Sequence, residues 1–297
     1  GLGDVYKRQV NITVEGEDGG TVEREVLSGL DDGADSVYEY GTELKLTAKP
    51  SAEWEFSSWK EDLEGTENPQ TITIDTIKAV TVVFVKKQYP LTIEVEGEGT
   101  VAEKVIKAGA ATDYNSGTVV ELTATGKTGW EFKEWTGDLE STENPAEITI
   151  DASKTVKAVF VKKQFAVNIT IEGEGGGTVD EEVVTGLKVD SKYEYGTELK
   201  LTAKPSAEWE FSSWKEDLEG TENPQTITID TIKAVTAVFI KKKYALTIEV
   251  EGQGSVAEEV IKAGAATDYN SGTIVELTAS TGVEGWEFKE WTGDLTG

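Results

Sequence analysis

The sequence predicts an all-β chain: a tandem, elongated array of small β-rich modules with about six short strands each. Three observations carry that expectation. All eight Trp fall in one motif, WEFSSW or WEFKEW, beginning at Trp54, Trp130, Trp209 and Trp286. The first Trp recurs at spacings of 76, 79 and 77 residues (130 − 54, 209 − 130, 286 − 209), and a fixed period of this kind marks a repeat architecture. Between the motifs, apolar and polar residues alternate in short β-branched runs bounded by Gly, Asn and Pro, and no long stretch has helical spacing.

The second copy shows the elements in order. YPLTIEVEGEGTV, from Tyr89, reads as a strand, a Gly turn and a second strand. SGTVVELTA, from Ser116, gives a third strand and WEFKEW a fourth. DLESTENP is a loop closed by the Asn144-Pro145 turn signal, and AEITIDASKTVKAVFVKK reads as a hairpin turning near Asp151 to Lys154. The Gly-rich runs near Gly97 and Gly173 read as hairpin turns; they sit between strands and lack the following Lys-Ser/Thr of a phosphate cradle. Each module is expected to be a small sandwich or roll.

Copies are assigned to residues 10–87, 88–163, 164–243 and 244–297, and they alternate in type. Tyr38 to Thr81 is identical to Tyr193 to Thr236, while the second and fourth copies share KAGAATDYNSGT at Lys107 to Thr118 and Lys262 to Thr273. The order is A-B-A-B, which keeps nearest neighbours dissimilar and lowers the risk of misassembly between them. VFVKKQYPLTI, VFVKKQFAVNI and VFIKKKYALTI join one copy to the next without a Gly/Ser or Pro-rich linker, so a semi-rigid, monomeric rod is expected. At about 30 Å per module, four would reach on the order of 100 Å.

Composition narrows the function. Asp plus Glu is 56 against Lys plus Arg 28, a formal charge of −28 that repels phosphate backbones and anionic lipid, so neither nucleic acid nor a membrane is an expected partner. There is no Cys and no His, which removes disulfides, thiol chemistry, the commonest general base and the commonest transition-metal ligand. No catalytic residue, cofactor or metal is assigned, and the chain is not expected to be an enzyme.

Candidate ligand contacts are aromatic. Trp54 and Phe56 stand two apart on a predicted strand and read as core, with Trp59 on the other face or past a bulge. The second Trp of each motif, Trp59, Trp135, Trp214 and Trp291, begins a polar loop. Boundary packing is the first reading for these four, and a sugar-stacking contact is the competing one. GLDDGADS at Gly29 to Ser36 gathers three Asp, but it lacks regular calcium-loop spacing and the third copy has GLKVDSKY there, so it reads as a solvated loop. The Lys pairs at Lys86, Lys162 and Lys241 flank apolar strands, where charge discourages edge-to-edge pairing.

The spaced motifs together carry a resemblance. Aromatic-x-LT-x-x-x-x-G-x-G-T/S-V, then Y-x-x-G-T-x-x-x-LTA, W-x-F-x-x-W-x-x-D-L, ENP-x-x-ITID and K-x-V-x-A-V-F run from Tyr89 to Phe160. Matching runs span Val10 to Phe84 and Phe165 to Phe239, with a broken one from Tyr244. This pattern resembles the divergent InlB B-repeat family, related to the Listeria-Bacteroides repeats, and the resemblance implies a β-grasp-like module as the alternative to a small sandwich or roll. The resemblance implies a bacterial cell-surface or secreted protein in which such repeats form stalks or adhesive arrays outside the cell. The expected function is a non-catalytic structural or adhesive array. Alternatives are modules that bind an extracellular glycan or a host or matrix protein, and accessory domains of a secreted enzyme.

Two segments stand apart from the pattern. Strand starts carry Tyr89, Phe165 and Tyr244, whereas the first copy has Arg8 at that place. GLGDVYKRQ, residues 1–9, resembles a one-frame translation of a transposase sequencing adapter, and is expected to be an artefact rather than part of the repeat. The fourth copy reaches WTGDLTG, short of ENP and the last two strands, and is expected to be the least stable unit.

Overall fold

Strand β4 (Thr42–Pro50) shows how the alternation becomes structure. In TELKLTAKP, Thr42, Leu44, Leu46 and Ala48 are buried while Glu43, Lys45, Thr47 and Lys49 face outward. The computed structural model describes residues 7–29, 36–107, 114–262 and 268–296. Every regular element among them is a strand. The chain divides into two compact units, 1–161 and 162–297, each holding one A-B pair.

In the first copy, β4 is joined by β1 (Lys7–Glu15), β2 (Gly20–Ser28), β3 (Val37–Glu39), β5 (Trp54–Glu61), β6 (Gln70–Ile74) and β7 (Lys78–Lys86). They form two sheets, β1-β7-β5 with short β3 beside β1, and β2-β4-β6. β1 runs parallel to β7 and β5 antiparallel to it. Both sheets feed one core: Val10, Trp59, Val80, Val82 and Phe84 from the first, Leu44, Leu46, Ile72 and Ile74 from the second. Among the described residues there is no helix of the β-grasp kind, and the copy is a small sandwich.

The second copy repeats the plan with β8 (Gln88–Tyr89), β9 (Leu91–Glu96), β10 (Gly99–Lys107), β11 (Tyr114–Asn115), β12 (Thr118–Gly126), β13 (Trp130–Gly137), β14 (Ala146–Ile150) and β15 (Lys154–Lys162). Its sheets are β13-β15-β9 and β10-β12-β14, with a β8–β11 ribbon. The third copy holds β16 (Gln164–Phe165), β17 (Val167–Glu172), β18 (Gly177–Thr185), β19 (Lys188–Val189), β20 (Lys192–Glu194), β21 (Thr197–Pro205), β22 (Trp209–Glu216), β23 (Gln225–Ile229) and β24 (Lys233–Lys241). Its main sheets are again β17-β24-β22 and β18-β21-β23. In the fourth copy β25 (Lys243–Ala245) pairs with β27 (Asp268–Asn270), and β26 (Ser255–Lys262) with β28 (Ile274–Ser280). Its Trp286–Trp291 motif forms no strand, and Trp286 is 50% exposed.

Six long strands per complete copy agree with the sequence pattern, but their connections do not. The expected hairpin between Ala146 and Lys163 is absent: β14 pairs with β12 in one sheet and β15 with β9 and β13 in the other. The Gly turn at Gly97 likewise joins β9 and β10 across the two sheets. These are arches, not hairpins. The physical reason is visible at Gly97, where φ is +83° and a Cβ would stand 2.5 Å from the Phe160 carbonyl oxygen. The turn is pressed against the end of β15, and glycine permits the approach.

The Lys residues also change role. β7 and β24 are central strands, so Lys86 and Lys241 guard no edge. Each instead pairs with a carboxylate, Lys86 with Glu53 at 2.7 Å and Lys241 with Glu208 at 3.0 Å, and Lys162 lies 3.7 Å from Glu194.

Candidate functional site

The WxFxxW strand contains a β-bulge. Its register against β7 shifts between Phe56 and Ser58, and β22 shifts against β24 between Phe211 and Ser213. The extra residue turns Trp59 back onto the inner face, with its ring centroid 5.3 Å from that of Phe56. Trp59, Trp135 and Trp214 are 2%, 1% and 2% exposed. Their indole N–H groups donate to the carbonyls of Glu67, Glu143 and Glu222 at 2.9, 3.0 and 2.9 Å. The sugar-stacking reading of these three is therefore corrected: neither ring face nor ring nitrogen is free to meet a ligand. Trp291 is half-buried, 5.0 Å from Phe288.

The first Trp takes the more open place. Trp54, Trp130 and Trp209 are half-buried at the margin of their cores. Lys86 Nζ lies 4.9 Å over the Trp54 ring, and Lys241 Nζ lies 4.9 Å over that of Trp209.

The loop after the second Trp spends its polar groups on the framework. Trp59 and Gly65 exchange backbone hydrogen bonds at 2.8 and 3.3 Å, closing the loop on itself. Asp62 Oδ2 accepts the Ala79 N–H at 2.8 Å, as Asp138 does for Thr155 at 2.6 Å and Asp217 for Ala234 at 2.7 Å. Leu63 and Leu218, from the D-L motif, are buried.

The Asn of ENP continues a sheet. β4 and β6 are paired from Thr42↔Ile74 to Leu46↔Gln70, a register that next places Ala48 opposite Asn68. There the Asn68 side chain takes over, accepting from Ala48 N at 2.8 Å and donating to Ala48 O at 3.0 Å. Asn144 treats Ala124, and Asn223 treats Ala203, in the same way.

A buried tyrosine is the recurrent feature that sequence reasoning missed, although the Y-x-x-G-T motif signals it. Tyr114 and Tyr269 each donate at 2.6 Å, to Glu103 and Glu258, and Tyr193 donates to Glu181. Burial, then the Glu103 carboxylate, pushes the Tyr114 phenol up to about 12. Opposite these tyrosines stand the aromatic strand starts: Tyr89 on Tyr114, Phe165 on Tyr193, Tyr244 on Tyr269. In the first copy Arg8 faces Tyr38.

Among the described residues, no cluster of three or more Asp or Glu has metal-ligating geometry, and no helix is long and apolar enough to cross a membrane. Residues 30–35 of the GLDDGADS loop and residues 1–6 lie outside the described residues.

These observations define a class: tandem two-sheet modules whose motif residues build the module itself. The chain belongs to the divergent InlB B-repeat domain family, whose profile matches residues 10–88, 89–164, 167–243 and 244–297. Among solved structures it is similar to the Bacillus anthracis TIE protein, at 10% identity and a TM-score of 0.41, over 80% of this chain and 51% of that one. No curated protein matches.

Proposed function

We propose that the chain is a non-catalytic structural array, a stalk or spacer of a bacterial surface or secreted protein. One observation carries the reading: in each complete copy the Trp, Asp-Leu and Asn-Pro motifs are consumed in holding two sheets together. The family supports a repeat array of a bacterial protein. Placement outside the cell and an adhesive role are extensions of that membership, and the charge of −28 suits a soluble, self-repelling chain.

The competing glycan-binding reading now needs the half-exposed first Trp of each motif, not the buried second. Glycan-array and matrix-protein capture by the intact chain, with small-angle scattering on the same sample, separates them. The spacer reading expects no saturable capture and an extended particle. Saturable capture lost in folded Trp54→Ala and Trp209→Ala variants, or a compact globule, overturns it.

A further inference from the structure

Between the first and second copies the chain passes through Lys87, whose backbone is hydrogen-bonded on both sides. Its N–H donates to Glu53 O in the first copy at 3.0 Å, and its carbonyl accepts from Ser116 N in the second at 2.7 Å. The Lys87 ammonium donates to Ala52 O at 2.8 Å, while Lys86 Nζ holds the Glu53 carboxylate at 2.7 Å. On the far side Gln88 Nε2 donates to Asn115 Oδ1 at 3.1 Å. The second copy's turn also abuts the carboxylate: a Cβ on Gly117 would stand 3.6 Å from Glu53 Oε2.

Apart from the Gln88–Asn115 bond, the same set recurs between the third and fourth copies. Lys242 N–H donates to Glu208 O at 3.0 Å and Ser271 N–H to Lys242 O at 2.7 Å. Lys242 Nζ donates to Ala207 O at 2.9 Å, Lys241 holds Glu208 at 3.0 Å, and a Cβ on Gly272 would stand 3.7 Å from Glu208 Oε2. It forms although the fourth copy has only its two strand pairs, β25–β27 and β26–β28, among the described residues. The arrangement is therefore local, and does not depend on a completed sandwich beyond it. At the place of Glu53 and Glu208 the second copy carries Gly129, which has neither a carboxylate nor a side chain.

We propose that the A-type copy is a clamp for the B-type copy that follows. Its Ala-Glu pair, Ala52–Glu53 or Ala207–Glu208, grips the Lys-Lys linker and seats the next copy's Ser-Gly turn. Each A-B pair is thereby one stiff unit, and the pair that was duplicated in the sequence is the pair the clamp joins. The purpose of stiffness rests on the spacer reading, but the clamp itself does not: a glycan-binding chain would keep it.

The sequence has no Cys, so spin labels are unambiguous. Thr73→Cys and Thr149→Cys, both at exposed positions on β6 and β14, report the distance between copies one and two in the intact chain by pulsed dipolar spectroscopy. The expected result is one narrow distance peak. Adding Glu53→Gly, the residue the second copy carries, should broaden it by at least about twofold and speed amide exchange at Lys87 and Ser116 together. Glu53→Gln, which keeps a side-chain oxygen within reach of Lys86 and loses the charge, should fall between and serves if the glycine variant fails to fold. A broad peak in the parent chain, or unchanged width and unchanged amide exchange in the folded variants, overturns the clamp. Glycan capture by the chain would leave these measurements as they are, and so would count against the spacer reading alone.

Discussion

Asn144→Ala tests whether the Asn of ENP is a framework residue. Ala124 is 6% exposed, and its N–H and C=O both bond the Asn144 amide, at 2.8 and 2.7 Å. Removing the amide strands a buried donor, about 1–3 kcal/mol, and loses a second bond worth about 0.5–1.5, so about 1.5–4.5 kcal/mol in all. A module of this size has roughly 4–11 kcal/mol of stability in total. An array of this kind does not unfold in two states, so the reading must be local. Hydrogen exchange over β12, with β21 of the third copy as internal reference, should show opening increased about 10- to 2,000-fold. Asn144→Asp separates the two bonds. Its carboxylate keeps an acceptor for Ala124 N–H but sets a second oxygen against Ala124 O, where only the protonated acid can donate. The folded pKa of that Asp is then raised. Its stabilising contribution is full below the unfolded value and lost as pH rises through the folded one. The variant should approach the parent in acid and fall toward Asn144→Ala near neutrality. Exchange within about twofold of the parent for both variants at neutral pH would refute the ladder argument.

Other outcomes follow from the same geometry. Trp135→Ala should cost about 3–5 kcal/mol and open the second copy by urea titration with exchange readout, while Trp130→Ala, at the core margin, should cost clearly less. Glu61 and Glu216 sit at φ of +73° and +75°, where the second copy has Gly137 at +91°. Glu61→Gly and Glu216→Gly should therefore stabilise their copies by about 0.5–1 kcal/mol in urea titration, the relieved left-handed strain exceeding glycine's added unfolded entropy. Because the Tyr114 phenol is raised above its unfolded value, its contribution is complete below about pH 10 and lost as pH rises toward 12. Phenolate absorbance should show a late-titrating tyrosine, and Glu103→Gln should bring it down only partly, since burial is the larger cause. Acrylamide should quench Trp286, 50% exposed, more readily than Trp135, 1% exposed, as single-Trp variants would report.

Strand positions were legible because period-two alternation is a local property: TELKLTAKP and VVELTA bury the residues their patterns predict. Partners were not. Alternation says which face of AEITI is apolar, yet the same pattern suits a hairpin with KTVKAVFVK or an arch into the other sheet. Only packing across the core chooses, and that is a long-range fact. The competing sugar-stacking reading of the second Trp arose for a related reason. Spacing alone puts Trp54 and Phe56 on one face and Trp59 on the other, and the single-residue bulge at Ser57 restores Trp59 to the core. Polar neighbours such as Lys60 and Asp62 made that Trp look exposed, but they belong to a loop that folds back to accept its N–H.

Each complete copy ends one sheet on a nine-residue edge strand, β2, β10 or β18, and near-identical modules risk joining along such edges. The sequence answers with charge and with shape. Lys49–Glu23 at 3.2 Å, Lys104–Glu121 at 3.4 Å and the Lys204–Asp180 pair lie along the exposed face, where ion pairs add little stability. Their stronger effect is to keep that face wet. A bulge then breaks each edge at the same place, between Val26 and Ser28, Val105 and Lys107, Val183 and Thr185. The bulged residues Leu27, Ile106 and Val184 are 49%, 40% and 51% exposed, so each copy exposes an aliphatic side chain where the ladder is interrupted. An apolar residue is tolerable there because the backbone around it cannot offer a regular template to a neighbour. Repeating the module therefore adds copies without adding a regular edge open to pairing, which is what an array of duplicated copies requires.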